Sequence, residues 1–182
     1  MVVTGGGECQ NVVGDAAVRE AERPRMLFWR SEAETKQMFL GEYTHALDSK
    51  GRLTIPLCLR VELGATVVVT RGYEACLVVY PLDAWAALAR KIAQVSATNA
   101  VVRSYSRLFF GGAHESQPDR MGRIRVPAFL RDYAGLEIEK EAVIVGANTC
   151  AEIWNPDRYR QTIDRDTQDL PKVLANLAQM GV

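Results

Sequence analysis

The sequence predicts an α+β protein, rich in β-strand, built from two tandem copies of one small unit. Three observations lead there. Asp48-Ser49-Lys50-Gly51-Arg52-Leu53-Thr54-Ile55-Pro56 returns 71 positions later as Asp119-Arg120-Met121-Gly122-Arg123-Ile124-Arg125-Val126-Pro127, with Asp, Gly, Arg, two aliphatics and Pro in identical spacing. The match runs on to Leu59-Arg60 and Leu130-Arg131, and back to Phe39 and Gly41 against Phe110 and Gly112. Short segments of strand character closed by Gly or Pro surround each copy, and two segments of helical period bridge them.

Residues 1–37 belong to neither copy. Gly5-Gly6-Gly7 and the mixed-charge run to Gln37 read as a flexible arm with a short helix near Asp15–Arg23. Because the first copy opens at Met38, that residue is expected to be the physiological start. The first unit with its following helix occupies 38–97. Phe39 to Leu47 has strand character, with Tyr43, His45 and Leu47 on one face. Asp48 to Gly51 is a turn, since Asp accepts from amides ahead of it and Gly tolerates positive φ. Arg52 to Ile55 alternates Leu53 and Ile55 against Arg52 and Thr54, and Pro56 ends the strand. Leu57–Leu63 predicts two helical turns stopped by Gly64, followed by strands at Val67–Thr70 and Cys76–Tyr80 around a turn at Gly72-Tyr73-Glu74.

A helix from Asp83 to about Val95 carries Trp85, Leu88, Ala89, Ile92 and Val95 as its apolar stripe. Thr98-Asn99 reads as a fresh cap for a second helix carrying Val101, Val102, Tyr105, Leu108 and Phe109. These stripes predict core or subunit contact. The linking helix and second unit occupy 98–165: a strand to Ser116, the turn at Asp119–Gly122, a strand Arg123–Val126, and a short helix to Tyr133 before Gly135. A three-residue insertion then moves the offset to 74, pairing Cys76 with Cys150 and Tyr80 with Trp154. Asn155-Pro156-Asp157 starts a helix expected to fade through Asp164–Asp169, leaving 166–182 as a tail with weak helix near Leu170–Met180.

Bulk properties narrow the function classes. With 182 residues, 48% of them hydrophobic, the chain can build a real core. No apolar run approaches the ~20 residues of a membrane span. The N-terminus lacks a secretory layout, so no membrane partner is expected. Cys9, Cys58, Cys76 and Cys150 form no Cys-x-x-Cys pair, which favours a reduced, cytoplasmic protein. Twenty-two basic and 22 acidic side chains cancel, arguing against indiscriminate coating of nucleic acid. Their distribution is uneven. Lys50, Arg52 and Arg60 against Asp48 give +2 over 48–60, and Arg120, Arg123, Arg125 and Arg131 against Asp119 give +3 over 119–131. From 137 onward, five basic residues face eight acidic ones. Charge alone does not separate this gathering from ordinary surface scatter.

Each copied turn holds an Asp four positions before an Arg. Asp48 and Asp119 are therefore expected to cap their turns and brace Arg52 and Arg123, presenting each guanidinium as a fixed fork for a planar or phosphate target. The plainer alternative is an exposed turn-stabilising ion pair, worth ~0–1 kcal/mol. No nucleophile elbow, phosphate loop or paired acid and base is present, and His45 and His114 lack ligand spacing, so no metal, cofactor or catalytic residue is expected.

The order strand, Asp-x-x-Gly-Arg-aliphatic-x-aliphatic-Pro, short helix, two strands resembles the swapped-hairpin module of AbrB-type transcription regulators. The tandem form, opening Met38-Phe39-Leu40-Gly41-Glu42-Tyr43 and carrying Leu47-Asp48-Ser49-Lys50-Gly51-Arg52-Leu53, is similar to the MraZ family over roughly 38–165. The unit ends Tyr80-Pro81-Leu82 and Glu152-Ile153-Trp154 fit it too. The resemblance implies two AbrB-like modules forming a pseudo-symmetric double-split β-barrel with bridging helices. It also implies a nucleoid-associated bacterial regulator that binds direct repeats in the promoter of its own division and cell-wall gene cluster, as a ring-shaped homo-oligomer. The family's basic turn residues carry over to Lys50, Arg52 and Arg123. Met121 stands where the first copy has Lys50, and Arg120 supplies a charge beside it.

On this reading Arg52 and Arg123 reach guanine in the major groove, with Gly51 and Gly122 shaping the turns. Lys50, Arg120 and Arg125 hold phosphates, while Arg60 and Arg131 pack within the module or add to the phosphate contacts. Ring assembly multiplies weak contacts, and occupancy of the promoter represses. An AbrB-type antitoxin competes, though it usually carries one module and a toxin-gripping tail. A structural ring protein without DNA is the second competitor, and an enzyme the weakest.

Overall fold

The computed structural model describes residues 38–95 and 98–181; the expected arm, its helix and the question of the Met38 start lie outside the described residues. Among the described residues, eight strands and five helices appear in the order the repeat demands. The first unit holds β1 (Glu42–Ala46), β2 (Arg52–Thr54), α1 (Leu57–Leu63), β3 (Val67–Arg71), β4 (Leu77–Pro81) and α2 (Leu82–Ala93). Then α3 (Ala100–Phe109) leads to β5 (His114–Ser116), β6 (Arg123–Arg125), α4 (Ala128–Ala134), β7 (Glu141–Gly146), β8 (Ala151–Trp154) and α5 (Pro156–Gln179). A single 3₁₀ turn at Tyr73–Ala75 joins β3 to β4.

Local signals explain the boundaries. Pro56 and Pro127 precede α1 and α4, and Gly64 and Gly135, both at positive φ, end them. Asn99 caps α3 by accepting the Val101 amide, and Asn155 caps α5 by accepting those of Asp157 and Arg158. β1 starts at Glu42 rather than at Phe39: Gly41 sits at φ +93°, so Phe39 reaches the sheet only through one bridge to Asn148. The expected fade of α5 is not observed. The helix runs unbroken through Pro171, which has no amide to offer the carbonyl of Thr167, itself an exposed residue.

The pairing interleaves the two units. One antiparallel sheet of six strands has the order β1-β7-β8-β4-β3-β5, and a second sheet is the antiparallel pair β2-β6. Exchanging each strand with its copy reverses the large sheet onto itself. Strand β1 lies against β7 of the other unit, with Tyr43 opposite Ile144, and β5 returns to β3. The units meet at β4 and β8, where Leu77 faces Ile153. In the small sheet Leu53 faces Ile124.

The core inherits this exchange. Leu53, Ile55, Leu59 and Leu63 from one unit and Ile124, Val126, Leu130 and Ala134 from the other share one buried cluster. Cys76 and Cys150 sit at matched positions in a second cluster with Val78, Val143 and Trp154, and burial pushes their thiols up to about 12 and about 11. The bridging helices pack through aromatics: Phe109 is buried, stacks on Trp85 (5.2 Å) and Tyr105 (5.0 Å), and meets Tyr80 edge-on. Three members of the expected stripes do not enter the core: Val101 and Leu108 on α3, and Val95 just beyond the end of α2, stay exposed. No helix among the described residues is long and apolar enough to cross a membrane.

Candidate nucleic-acid interface

Each copied turn is held by one carboxylate through backbone and side chain together. Asp48 Oδ1 accepts the amides of Lys50 (2.9 Å) and Arg52 (2.8 Å), while Oδ2 accepts Arg52 Nε (2.7 Å) and lies 2.7 Å from Nη2. The second turn repeats the set. Asp119 Oδ1 accepts the amides of Met121 (2.9 Å) and Arg123 (3.0 Å), and Oδ2 meets Arg123 Nε at 2.8 Å and Nη2 at 2.7 Å. Main-chain bonds from Gly51 to Asp48 and from Gly122 to Asp119 close the loops at 2.9 and 2.7 Å. The short Asp-x-x-Gly spacing makes this possible, because the carboxylate reaches forward over a chain that Gly lets turn at φ +69° and +73°.

The two turns also meet. Arg52 Nη1 lies 3.6 Å from Asp119 Oδ2, and Arg123 Nη1 lies 3.7 Å from Asp48 Oδ2. Two arginines and two aspartates thus form one neutral cluster across the interleaved units. All four side chains keep roughly 30% of their surface exposed. The arrangement favours the ionised carboxylates. The Arg52 amide and then its guanidinium hold Asp48 below the usual carboxylate range, and Arg123, by side chain and then amide, draws Asp119 down to about 2. Asp119 in return raises Arg123.

Bonding leaves each arginine a defined free edge. Nε and one Nη2 hydrogen face the aspartate of the same turn, and the cross-contacts at 3.6 and 3.7 Å exceed hydrogen-bond length. The end-on hydrogens of Nη1 and Nη2 therefore remain available. Around the cluster Lys50, Arg120 and Arg125 are exposed, so the surface beyond the neutral centre carries only positive charge from these turns and strands. The Arg125 amide is fixed by Ser116 Oγ at 3.3 Å.

Arg60 and Arg131 cross between units in a way the linear sequence did not disclose. A Cβ placed on Gly122 would strike the Arg60 guanidinium, and one on Gly51 would strike Arg131 Nη1. Each helix following one turn thus sends its arginine beneath the glycine of the other turn. Arg131 Nη1 reaches the Val126 carbonyl at 3.5 Å, while Arg60 Nε is buried without a hydrogen-bond partner. The available signal was that Arg60 and Arg131 recur at the same distance from their prolines. The backbones lock in the same sense: the Ile55 amide donates to the Gly122 carbonyl and the Val126 amide to that of Gly51. Among the described residues, no cluster of His, Cys, Asp or Glu is arranged to hold a metal ion.

A family model described as "MraZ protein, putative antitoxin-like" matches the chain twice, over residues 38–108 and 109–179. The chain belongs to the MraZ family. The two MraZ matches divide it as the internal repeat does, with one Asp-x-x-Gly-Arg turn in each. A transcriptional regulator MraZ of Moorella thermoacetica is 46% identical over 138 residues, which is 76% of this chain and 94% of the relative. Those of Heliobacterium modesticaldum and Alkaliphilus oremlandii are 43% and 41% identical, covering 77% and 80% of this chain and 96% and 100% of the relatives. The expected kinship with MraZ regulators therefore holds, on an α+β fold with antiparallel sheets.

Proposed function

We propose that the chain is a sequence-specific DNA-binding transcriptional regulator, and that the joined pair of Asp-x-x-Gly-Arg turns is its reading head. The observation that carries this is the convergence of two copied turns into one braced cluster rimmed by Lys50, Arg120 and Arg125. Asp48 and Asp119 hold the inner edges of Arg52 and Arg123, so the end-on edges are pre-oriented for guanine O6 and N7. The aspartates also cancel the arginine charges, leaving phosphate attraction to the rim cations. The relatives' names as transcriptional regulators agree with this role.

In finer terms, the interleaved hairpins correspond to AbrB-like swapped hairpins in a double-split barrel. The chain acts in the cytoplasm at the nucleoid, as an autorepressor of a division and cell-wall gene cluster. It binds closely spaced direct repeats in the promoter as a ring of identical chains. Exposed Val101, Leu108, Leu170 and Leu174 on α3 and α5 supply apolar surface for such assembly. A lone head makes few contacts, and several at fixed spacing raise the affinity by effective concentration.

Footprinting and gel shifts on the DNA immediately upstream of its gene test this reading. Regularly spaced protection is expected, and Arg52→Ala should lose ~1–3 kcal/mol of binding with the oligomer unchanged. Unaltered affinity would remove Arg52 from the reading head. A monomer in light scattering would remove the ring.

A further inference from the structure

The two turns share one backbone frame and differ at its tip. In the first the tip is Ser49-Lys50, in the second Arg120-Met121. Lys50 and Met121 occupy equivalent places, each donating its amide at 2.9 Å to the Oδ1 of its own turn's aspartate. Their side chains are both exposed, and Met121 keeps 68% of its surface free. Among the exposed large apolar side chains described, Met121 is the one carried by a copied turn; many of the others lie on helices. Its sequence neighbours Arg120 and Arg123 and the nearby Arg125 are cationic, and Asp119, whose Oδ1 holds the Met121 amide, is paired with Arg123. An apolar group held at the tip of such a head needs an apolar feature in its target. On the major-groove edges of the bases, that feature is the thymine C5 methyl.

We infer that Met121 is a specificity-determining contact that reads a thymine methyl beside the base reached by Arg123. The inference rests on the DNA-reading role proposed above and goes beyond it, because it assigns unequal tasks to the two turns. Lys50 contributes charge without base identity, whereas Met121 contributes base identity without charge. The long, unbranched thioether suits this, since it adapts to a methyl group through several rotatable bonds. Anchoring of its own amide and of the Arg123 amide to Asp119 keeps the backbone in place when the side chain is changed.

The test separates this inference from the reading beneath it. The DNA upstream of the gene is prepared with thymine or with uracil throughout; the two fragments differ only in the C5 methyl. Both are titrated with the full chain and with Met121→Ala and Met121→Leu. The unaltered chain should bind the uracil fragment about fourfold more weakly per contacted thymine, the factor for burying one methyl-sized group. Met121→Ala should bind the thymine fragment weakly by the same factor and no longer distinguish the two fragments. Met121→Leu should keep most of the difference. Equal binding of both fragments by the unaltered chain, or an undiminished difference in Met121→Ala, overturns the role of Met121 while leaving DNA binding in place. Failure to bind even the thymine fragment overturns the DNA-reading role, and the inference with it.

Discussion

Replacing Gly122 by alanine should damage the protein more than an ordinary surface-turn substitution, and the structure divides the cost into two parts. Gly122 has φ +73°, where an L side chain is strained by about 1–2 kcal/mol. The new methyl would also land on the Arg60 guanidinium, which must shift from beneath the turn. Overpacking of this kind costs about 1–3 kcal/mol, and the flexible end of an arginine places it towards the lower bound. A total of about 2–4 kcal/mol corresponds to a fall in Tm of about 4–16 °C for a protein of this size. Urea denaturation of Gly122→Ala, Arg60→Ala and the double variant resolves the two parts. Backbone strain is common to both backgrounds and cancels in the cycle, whereas the steric part disappears once the guanidinium is gone. A coupling of about 1–2 kcal/mol is therefore expected, with Gly122→Ala milder beside Arg60→Ala. If Gly122→Ala costs the same in both backgrounds, the arginine does not pack under the opposite turn as described.

Acid should act on the cluster late. Asp119 titrates at about 2 against an ordinary 3.8, so its contribution is fully present above the unfolded value and is lost as pH falls from about 4 towards 2. The urea midpoint of Asp119→Asn should lack that part of the acid limb; an identical acid profile in both proteins would contradict the bracing. Lys50→Ala should weaken DNA binding across sequences and reduce the slope of log affinity against log salt by about 1, as loss of one phosphate contact requires. An unchanged slope would take Lys50 off the backbone. Asn155→Ala removes the cap of α5 and the bond from its Nδ2 to the Gly135 carbonyl (2.8 Å). It should cost about 1–2 kcal/mol in thermal denaturation; no change would show that the helix start is held elsewhere.

What was legible in the sequence is what is decided within a few residues. The stop of α1 at Gly64, the cap at Asn99, the start of α5 at Asn155-Pro156 and the bracing of each arginine by the aspartate four positions earlier all follow from side chains acting on nearby backbone. The shift of offset from 71 to 74 also paired Tyr80 with Trp154, which lie at equivalent places in β4 and β8. Pairing between distant segments was not legible. Alternation marks a strand without naming its neighbour, so nothing in 42–46 says that β1 lies on β7 of the other unit. The same limit hid the cross-contacts of Arg52 with Asp119 and of Arg60 with Gly122. The fade expected through Asp164–Asp169 was likewise misplaced, since α5 continues to Gln179.

Interleaving changes what the duplication accomplishes. Two copies stacked as separate beads would leave each turn to be shaped by its own unit, and a defect in one would leave the other able to read. Here the Ile55 amide bonds the Gly122 carbonyl, the Val126 amide bonds that of Gly51, and each turn's glycine rests on the other unit's arginine. Neither turn can relax without moving its copy. Because Arg52 and Arg123 share both aspartates, deletion of either arginine leaves the remaining one facing two carboxylates, and its free edge is drawn inwards. The losses in DNA affinity for Arg52→Ala and Arg123→Ala should accordingly fail to add: the double variant should lose less than the sum of the singles. Strict additivity would mean that the turns read DNA as independent corners, and that their meeting serves the fold alone.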